Sequence, residues 1–199
     1  QNLLTWKRSS SRKPLIIRGA RQVGKTSLVR QFSGEFDRFV ELNMERENHR
    51  KLFEIDDVGK VLNAAMLLTG VKKDQGSLLL FIDEIQESPK AIRMLRYFYE
   101  ERPDIFVIAA GSLLEFALSK ITSFPVGRVS YLYLSPVGFD EYLRASGNVQ
   151  ALEVLQTIPL ADYAHDILLE HFHDYLITGG MPEIVSLFLE TKDMGLLLG

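Results

Sequence analysis

The chain has 199 residues, 46% hydrophobic and 25% charged, which suits one substantial buried core with a smaller appendage. Acidic residues number 26 against 23 basic ones, a formal charge of −3, so the basic excess of a duplex-binding surface is missing and charge does not support a nucleic-acid partner. The absence of cysteine excludes disulfides and thiolate metal sites. The longest apolar runs, such as Leu78 to Ile82, are far too short to span a bilayer, so no membrane role is expected. No signal-peptide pattern stands in the sequence, and the expectation is a cytoplasmic protein. The chain opens at Gln1 without an initiator methionine, which leads us to expect a piece of a longer protein.

In chain order, Trp6 to Lys13 (WKRSSSRK) reads as a solvated basic approach loop. Leu15 to Arg18 is the first strand candidate. Directly behind it, GARQVGKT satisfies G-x-x-x-x-G-K-[ST] with Gly19, Gly24, Lys25 and Thr26. The residue types follow from the task. Glycines permit backbone angles that let successive N–H groups turn onto phosphate oxygens. Lys25 puts a point charge on the β- and γ-phosphates, and the Thr26 hydroxyl ligates magnesium. The nucleotide-binding stretch is therefore Gly19, Ala20, Arg21, Gln22, Val23, Gly24, Lys25, Thr26 and Ser27. A helix follows, with Leu28, Val29 and Phe32 inward and Gly34 ending it, and directs its positive N-terminus at the anion.

Phe39 to Asn43 is the second strand candidate. Asp56 to Gly59 (DDVG) matches the D-x-x-G of GTP-binding proteins, but it stands at no strand end and no Asn-Lys-x-Asp guanine reader exists. A GTPase is not expected. The third strand, Leu78 to Ile82, delivers Asp83 and Glu84 at its carboxyl end, beside the loop. Asp83 can hold magnesium through its water shell, and Glu84 can take a proton from the attacking water as general base. A small-molecule kinase is disfavoured because Glu84 points to water as acceptor.

Ser88 as N-cap and Pro89 at the first helical position open a helix with Ile92, Leu95 and Phe98 on one face, stopped by Pro103. Ile105 to Ala109 is the fourth strand, and its run ends at Ser112. That hydroxyl either reaches the γ-phosphate or lytic water, or caps the helix LLEFAL that follows. Val129 to Leu134 is the fifth strand, with Arg128 just before it. Arg128 is either a guanidinium that offsets transition-state charge on the γ-phosphate or one half of a surface ion pair.

After Leu134 the pattern turns helical. SPVGFDEYLRASG opens with Ser135-Pro136, aligns Phe139, Tyr142 and Leu143, and closes near Gly147. ADYAHDILLEHFHDYLITGG aligns Ala164, Ile167, Leu168, His171 and Tyr175 and breaks at Gly179-Gly180. His165, His171 and His173 lack carboxylates at ligand spacing, so a metal site is not expected there. The alternation of five apolar strands with helices predicts an α/β fold with a parallel five-stranded sheet sandwiched by helices, and the phosphate-loop motif makes it a P-loop NTPase. Residues 1–135 form its core and residues 136–199 a small helical lid.

With these motifs placed, the chain resembles an AAA+-type ATPase. More narrowly it resembles the bacterial and archaeal family of predicted ATPases in which such a domain precedes a poorly characterised C-terminal domain. RKPLIIRGARQVGKTSLV, LLLFIDEIQ, VIAAGSLLEF, VGRVSYLYLSPVGFDEYL and YLITGGMPEIV carry the resemblance, from about Leu3 to Val185. It implies a sheet order 5-1-4-3-2 of the additional-strand, catalytic-Glu class, ATP as nucleotide with Mg2+, and Glu84 as catalytic base. It also implies an Arg128 that serves a neighbouring subunit, and hence a homo-oligomer. Related signalling ATPases carry a Gly-x-Pro element that touches the nucleotide. Pro182 in GGMPE is the matching position, although a plain helix stop explains it equally well. Members of the family are longer, so the C-terminal region and any protein partner it engages are expected beyond residue 199.

Two functions stay open. One is an Mg-dependent ATPase whose cycle drives core, lid or inter-subunit motion. The other is a nucleotide-gated switch that binds ATP or ADP with little turnover.

Overall fold

The computed structural model describes residues 2–112, 127–160 and 162–191. Two compact units form, one from residues 1–20 and 24–134 and the other from residues 21–23 and 135–199.

In the first unit the chain runs α1 (Asn2–Arg8), β1 (Leu15–Arg18), α2 (Lys25–Phe32), β2 (Arg38–Asn43), α3 (Glu47–Arg50), α4 (Val58–Thr69), β3 (Leu78–Asp83), α5 (Pro89–Glu101), β4 (Phe106–Gly111) and β5 (Ser130–Tyr133). All pairings are parallel and the order is β2-β3-β4-β1-β5. This is the expected order read from the other edge. The register sets the strand ends side by side: Arg18 pairs with Gly111 and Tyr133, and Asn43 with Asp83. Whatever follows β1, β3 and β4 therefore emerges along one rim of the sheet.

Side-chain alternation divides the core between two faces. Leu78, Leu80 and Ile82 join Ile16, Val40, Leu42, Val107 and Ala109 beneath α4 and α5, which contribute Val61, Leu62, Ala65, Ile92, Leu95 and Phe98. Leu79 and Phe81 join Ile17, Ile108 and Ala110 on the other face, under Val29 and Phe32 of α2 and Leu3 and Trp6 of α1. Both faces are covered, so β3 is buried at all six positions and its sequence shows no polar alternation.

Capping explains several boundaries. Ser88 caps α5 by accepting from the Ala91 N–H, with Pro89 at the first helical position as expected. Asp57 caps α4 by accepting from Lys60 N at 2.7 Å. The D-x-x-G resemblance is thus the start of a helix, which ends at Gly70 with φ 72°. The α2 helix stops at Phe32, ahead of the expected Gly34, because a 3-10 turn over Ser33–Glu35 takes over.

One reading of the N-terminal stretch is corrected. The segment 6–13 is anchored through Trp6 and Arg12, while Arg8, Ser10 and Ser11 between them stay exposed. Trp6, buried in α1, lies edge-on to Phe106 at 6.1 Å and donates its indole N–H to the Lys13 carbonyl at 2.8 Å. The Arg12 guanidinium sits over the Phe106 ring at 3.6 Å. The i, i+3 spacing of Leu3 and Trp6 is the signal that gives α1 away.

The second unit comprises α6 (Phe139–Ala145), α7 (Val149–Leu155), α8 (Asp162–Thr178) and α9 (Pro182–Thr191). Tyr142, Leu143, Ala164, Leu168, Val185 and Phe188 form its core. Phe139, expected beside Tyr142, stacks against it with Tyr175 5.6 Å away. Ile167 departs from its expected inward place and is exposed. The first helix also starts later than Ser135-Pro136, because Val137 N–H bonds to the Gly180 carbonyl at 2.7 Å and holds the chain extended. Tyr175 adds a hydroxyl bond to the Val137 carbonyl at 2.9 Å. Helix α8 ends at Thr178 with Gly179 at φ 66°, the expected stop, and Pro182 then begins α9, the favoured place for a residue with no N–H to give. Among the described residues, no helix is long and apolar enough to cross a membrane, and no cluster of His, Cys, Asp or Glu could hold a metal by itself.

Gly180 approaches the 136–137 segment so closely that a Cβ there would stand 2.5 Å from the Val137 carbonyl oxygen. Gly180→Ala should therefore destabilise the helical unit by about 1–3 kcal/mol, as overpacking does. Urea denaturation followed by circular dichroism checks this, and an unshifted midpoint would rule out the constraint.

Candidate nucleotide site

Gly24 carries φ 87° and stands at the N-cap of α2, the left-handed conformation a side chain disfavours. Gln22 adopts φ 64° in the same loop, unusual for a non-glycine residue. The loop and the first turn of α2, with Ser27 exposed, hold no acidic residue. Helix α2 thus supplies no acid of its own against its positive N-terminus.

Lys25 is 6% exposed, and its ammonium donates to the carbonyls of Gly19 at 3.0 Å and Ala20 at 2.7 Å. Burial pushes its pKa below the ordinary lysine value, against an opposing pull from the nearby Glu84 and Asp83 carboxylates. Among the described residues this buried ammonium has two hydrogen-bond acceptors, both neutral carbonyls, which leaves one donor for an anion.

The next residue ties the loop to the sheet. Thr26 Oγ1 donates to Asp83 Oδ2 at 2.8 Å, linking the start of α2 to the end of β3 across 57 residues of chain. Asp83 Oδ1 accepts the Glu84 N–H at 3.0 Å. Burial raises the Asp83 pKa; the bonds from Thr26 and Glu84 N oppose it, and the like charges of Glu84 and Glu41 add to it. A hydroxyl and a carboxylate at this separation supply the hard oxygen donors magnesium prefers. Glu84 adopts φ 49° and is half-buried, with Oε2 receiving Gln86 Nε2 at 2.6 Å.

Ser112 follows Gly111, the β4 partner of Arg18, so it leaves the sheet beside Gly19. The helix it was expected to cap lies outside the described residues. Arg128 is different. Ser130 pairs with Leu15, so Arg128 stands at the amino rim of the sheet, a strand length of about 10 Å or more from the loop. Its Nε bonds to Glu100, which also takes Arg96 at 2.9 Å, and the Arg128 bond leads in holding the Glu100 carboxyl below its usual value. Arg128 thus forms the ion pair that was one of its two expected readings, and the parallel register carries it to the end of the sheet opposite its own protomer's loop. Pro182 stands in the helical unit at the first turn of α9.

Two neighbours escaped the sequence reading. Gln86 sits two residues past Glu84, where only the 3-10 turn over Ile85–Glu87 brings it back on the carboxylate. Asn43, level with Asp83 on β2, donates its N–H to Nδ1 of buried His49 at 2.9 Å. That bond requires an unprotonated Nδ1. Burial foremost, aided by Arg46 and opposed by Glu41, lowers the His49 pKa accordingly.

The AAA domain family matches residues 11–143, more than half of the chain. The chain belongs to the AAA domain family. No curated protein matches it. Among solved structures, the AAA domain is similar to the Walker-type ATPase PABY2304 of Pyrococcus abyssi, at 18% identity and TM-score 0.58 over 96% of this chain and 67% of that one. It is also similar to a chain in a Drosophila ORC structure bound to DNA, at 17% identity and TM-score 0.57 over 96% of this chain and 57% of that one. At such identities the likeness is one of fold, the parallel α/β fold of P-loop ATPases. Together with the family match it supports a general ATPase function and nucleotide binding for this AAA domain.

The raised Asp83 pKa has a stability consequence. The folded protein holds that proton to higher pH than the unfolded chain, so its contribution is complete at low pH and is lost as pH rises toward the raised native value. Asp83→Asn keeps an acceptor for Thr26 and removes the loss. The amide gives up the acceptor for the Glu84 N–H, a cost that does not depend on pH, so its nucleotide-free thermal midpoint relative to wild type should improve as pH rises above about 4. Differential scanning calorimetry reads it; a variant that loses ground to wild type over that rise would contradict the burial argument.

Proposed function

We propose that this AAA domain binds Mg-ATP at Gly19–Ser27 and hydrolyses it to ADP and phosphate. The observation that carries the reading is the 2.8 Å bond from Thr26 to Asp83, with Glu84 and Asp83 both within electrostatic reach of the Lys25 ammonium. Phosphate-loop cation, metal-ligand pair and carboxylate base thus belong to one electrostatic neighbourhood.

Lys25 exchanges its carbonyl acceptors for phosphate oxygens, and the positive end of α2 adds to its charge. Thr26 and Asp83 hold the magnesium, which when bound neutralises charge on the phosphates. Glu84 accepts a proton from water as the water oxygen bonds to the γ-phosphorus and the bond to the bridging oxygen breaks. ADP leaves with that electron pair, and the proton passes on to the products. Ser112 contributes a polar contact on the γ side. Pro182 is the proposed contact from the helical unit.

Because Arg128 stands at the amino rim, we assign it to the nucleotide of a second copy, in a homo-oligomer. The motif order further supports the narrower family with an additional C-terminal domain, which would engage the partner. The fly structure is a complex bound to DNA; for this chain a charge of −3 gives DNA no support. The alternative, a nucleotide-gated switch, uses the same binding residues and differs in retaining ADP.

Glu84→Gln should keep ATP affinity by calorimetry and lower multiple-turnover phosphate release by about 10²- to 10⁴-fold. Wild-type turnover in that variant would refute the base assignment, and a wild type that holds ADP without sustained release would favour the switch. For Arg128, mixing two inactive variants, Lys25→Ala and Arg128→Ala, should restore part of the activity, since a mixed pair contains one complete site. Mixtures that remain inactive would count against action between subunits.

A further inference from the structure

One polar side chain beside the acidic pair has no part in the roles above. Gln86, in the 3-10 turn Ile85–Glu87, donates from Nε2 to Glu84 Oε2 at 2.6 Å, while its Oε1 is buried with no hydrogen-bond partner among the described residues. The carboxylate dictates this orientation, because turning the amide over would set its carbonyl oxygen against a carboxylate oxygen. Gln86 therefore keeps its bond to Glu84 at the expense of an unmatched acceptor, which lowers stability. An apolar side chain of equal length would avoid the penalty. Stability alone gives no reason for glutamine here, and polar groups that the fold would do better without point to function.

Glu84 itself explains what the amide does. Its backbone is fixed at φ 49° and ψ 44°, which aims the Cα–Cβ bond but leaves the side-chain torsions free. A half-buried carboxylate on three rotatable bonds samples many placements. The bond at Oε2 selects one.

We propose that Gln86 is a positioning residue for the general base: it ties down Glu84 Oε2, so that Oε1 is the oxygen presented to water. The inference rests on the reading of Glu84 as the base. The gain is one of orientation, since a base fixed in its reactive placement has less freedom to lose on the way to the transition state.

The test uses Gln86→Met, Glu84→Gln and the double variant, each compared with wild type. Gln86→Met should leave the nucleotide-free thermal midpoint equal or raised and leave ATP affinity and KM within about twofold, while kcat falls by about ten- to a hundredfold. In the Glu84→Gln background the same change should have no further effect on residual turnover. Gln86→Glu, which keeps the shape but puts a like charge where the donor was, should lose at least as much kcat and serves if the methionine variant does not fold. Unchanged kcat in a folded variant would overturn the proposal. So would a loss shared equally by affinity and kcat, or one that persists in the Glu84→Gln background. Normal turnover in Glu84→Gln would instead remove the base reading beneath it. Loss in Glu84→Gln with full turnover in Gln86→Met would sink the positioning role alone.

Discussion

The hydrogen bond from Thr26 to Asp83 is the contact on which the rest of the site depends. It joins a loop defined by local backbone geometry to a strand defined by long-range burial, and it does so through the two groups suited to share a cation. A bond of this kind contributes only about 1–3 kcal/mol to stability. Its weight is geometric. It fixes the first turn of α2 against the end of β3, and the loop amides, Lys25 and both carboxylates inherit their relative places from it.

That geometry is available because every strand runs the same way. A parallel sheet sends all its carboxyl ends to one rim, and the order β2-β3-β4-β1-β5 sets β1 between β4 and β5, two strands from β3. The rim collects the phosphate loop, the acidic pair and Ser112 from segments nearly a hundred residues apart. The same polarity sends Arg128 to the far rim, where Glu100 neutralises it. A single protomer thus keeps its loop and its late arginine apart through sheet polarity, independently of side-chain detail.

Much of this was legible in the sequence where a rule is local. The loop motif, the Ser88-Pro89 helix start and the apolar runs of β3 and β4 translate directly into structure, because capping and burial act over a few residues. The sheet order came instead from resemblance, since spacing alone does not say which strand neighbours which. The site was readable as far as Lys25, Thr26 and the acidic pair. Their distances and roles are matters of geometry that no motif states. Gln86 was not legible, because the strand ends at Asp83 and i+2 neighbours on a helix do not face each other; a 3-10 turn after a left-handed residue brings the two together. The anchored α1 was missed for a related reason. Serines and basic residues dominate WKRSSSRK, and the tryptophan that fastens it depends on Phe106, distant in sequence.

The complete burial of β3 has a consequence for the order in which the molecule loosens. A strand with no exposed position, hydrogen-bonded on both edges, opens only when the whole unit opens, so its amides should be among the last to exchange with solvent. Asp83 terminates that strand. The carboxylate is therefore immobilised when the chain folds, and an arriving ligand need not spend affinity on ordering it. The loop after β1, whose residues 20 to 22 face solvent, is the part left to tighten.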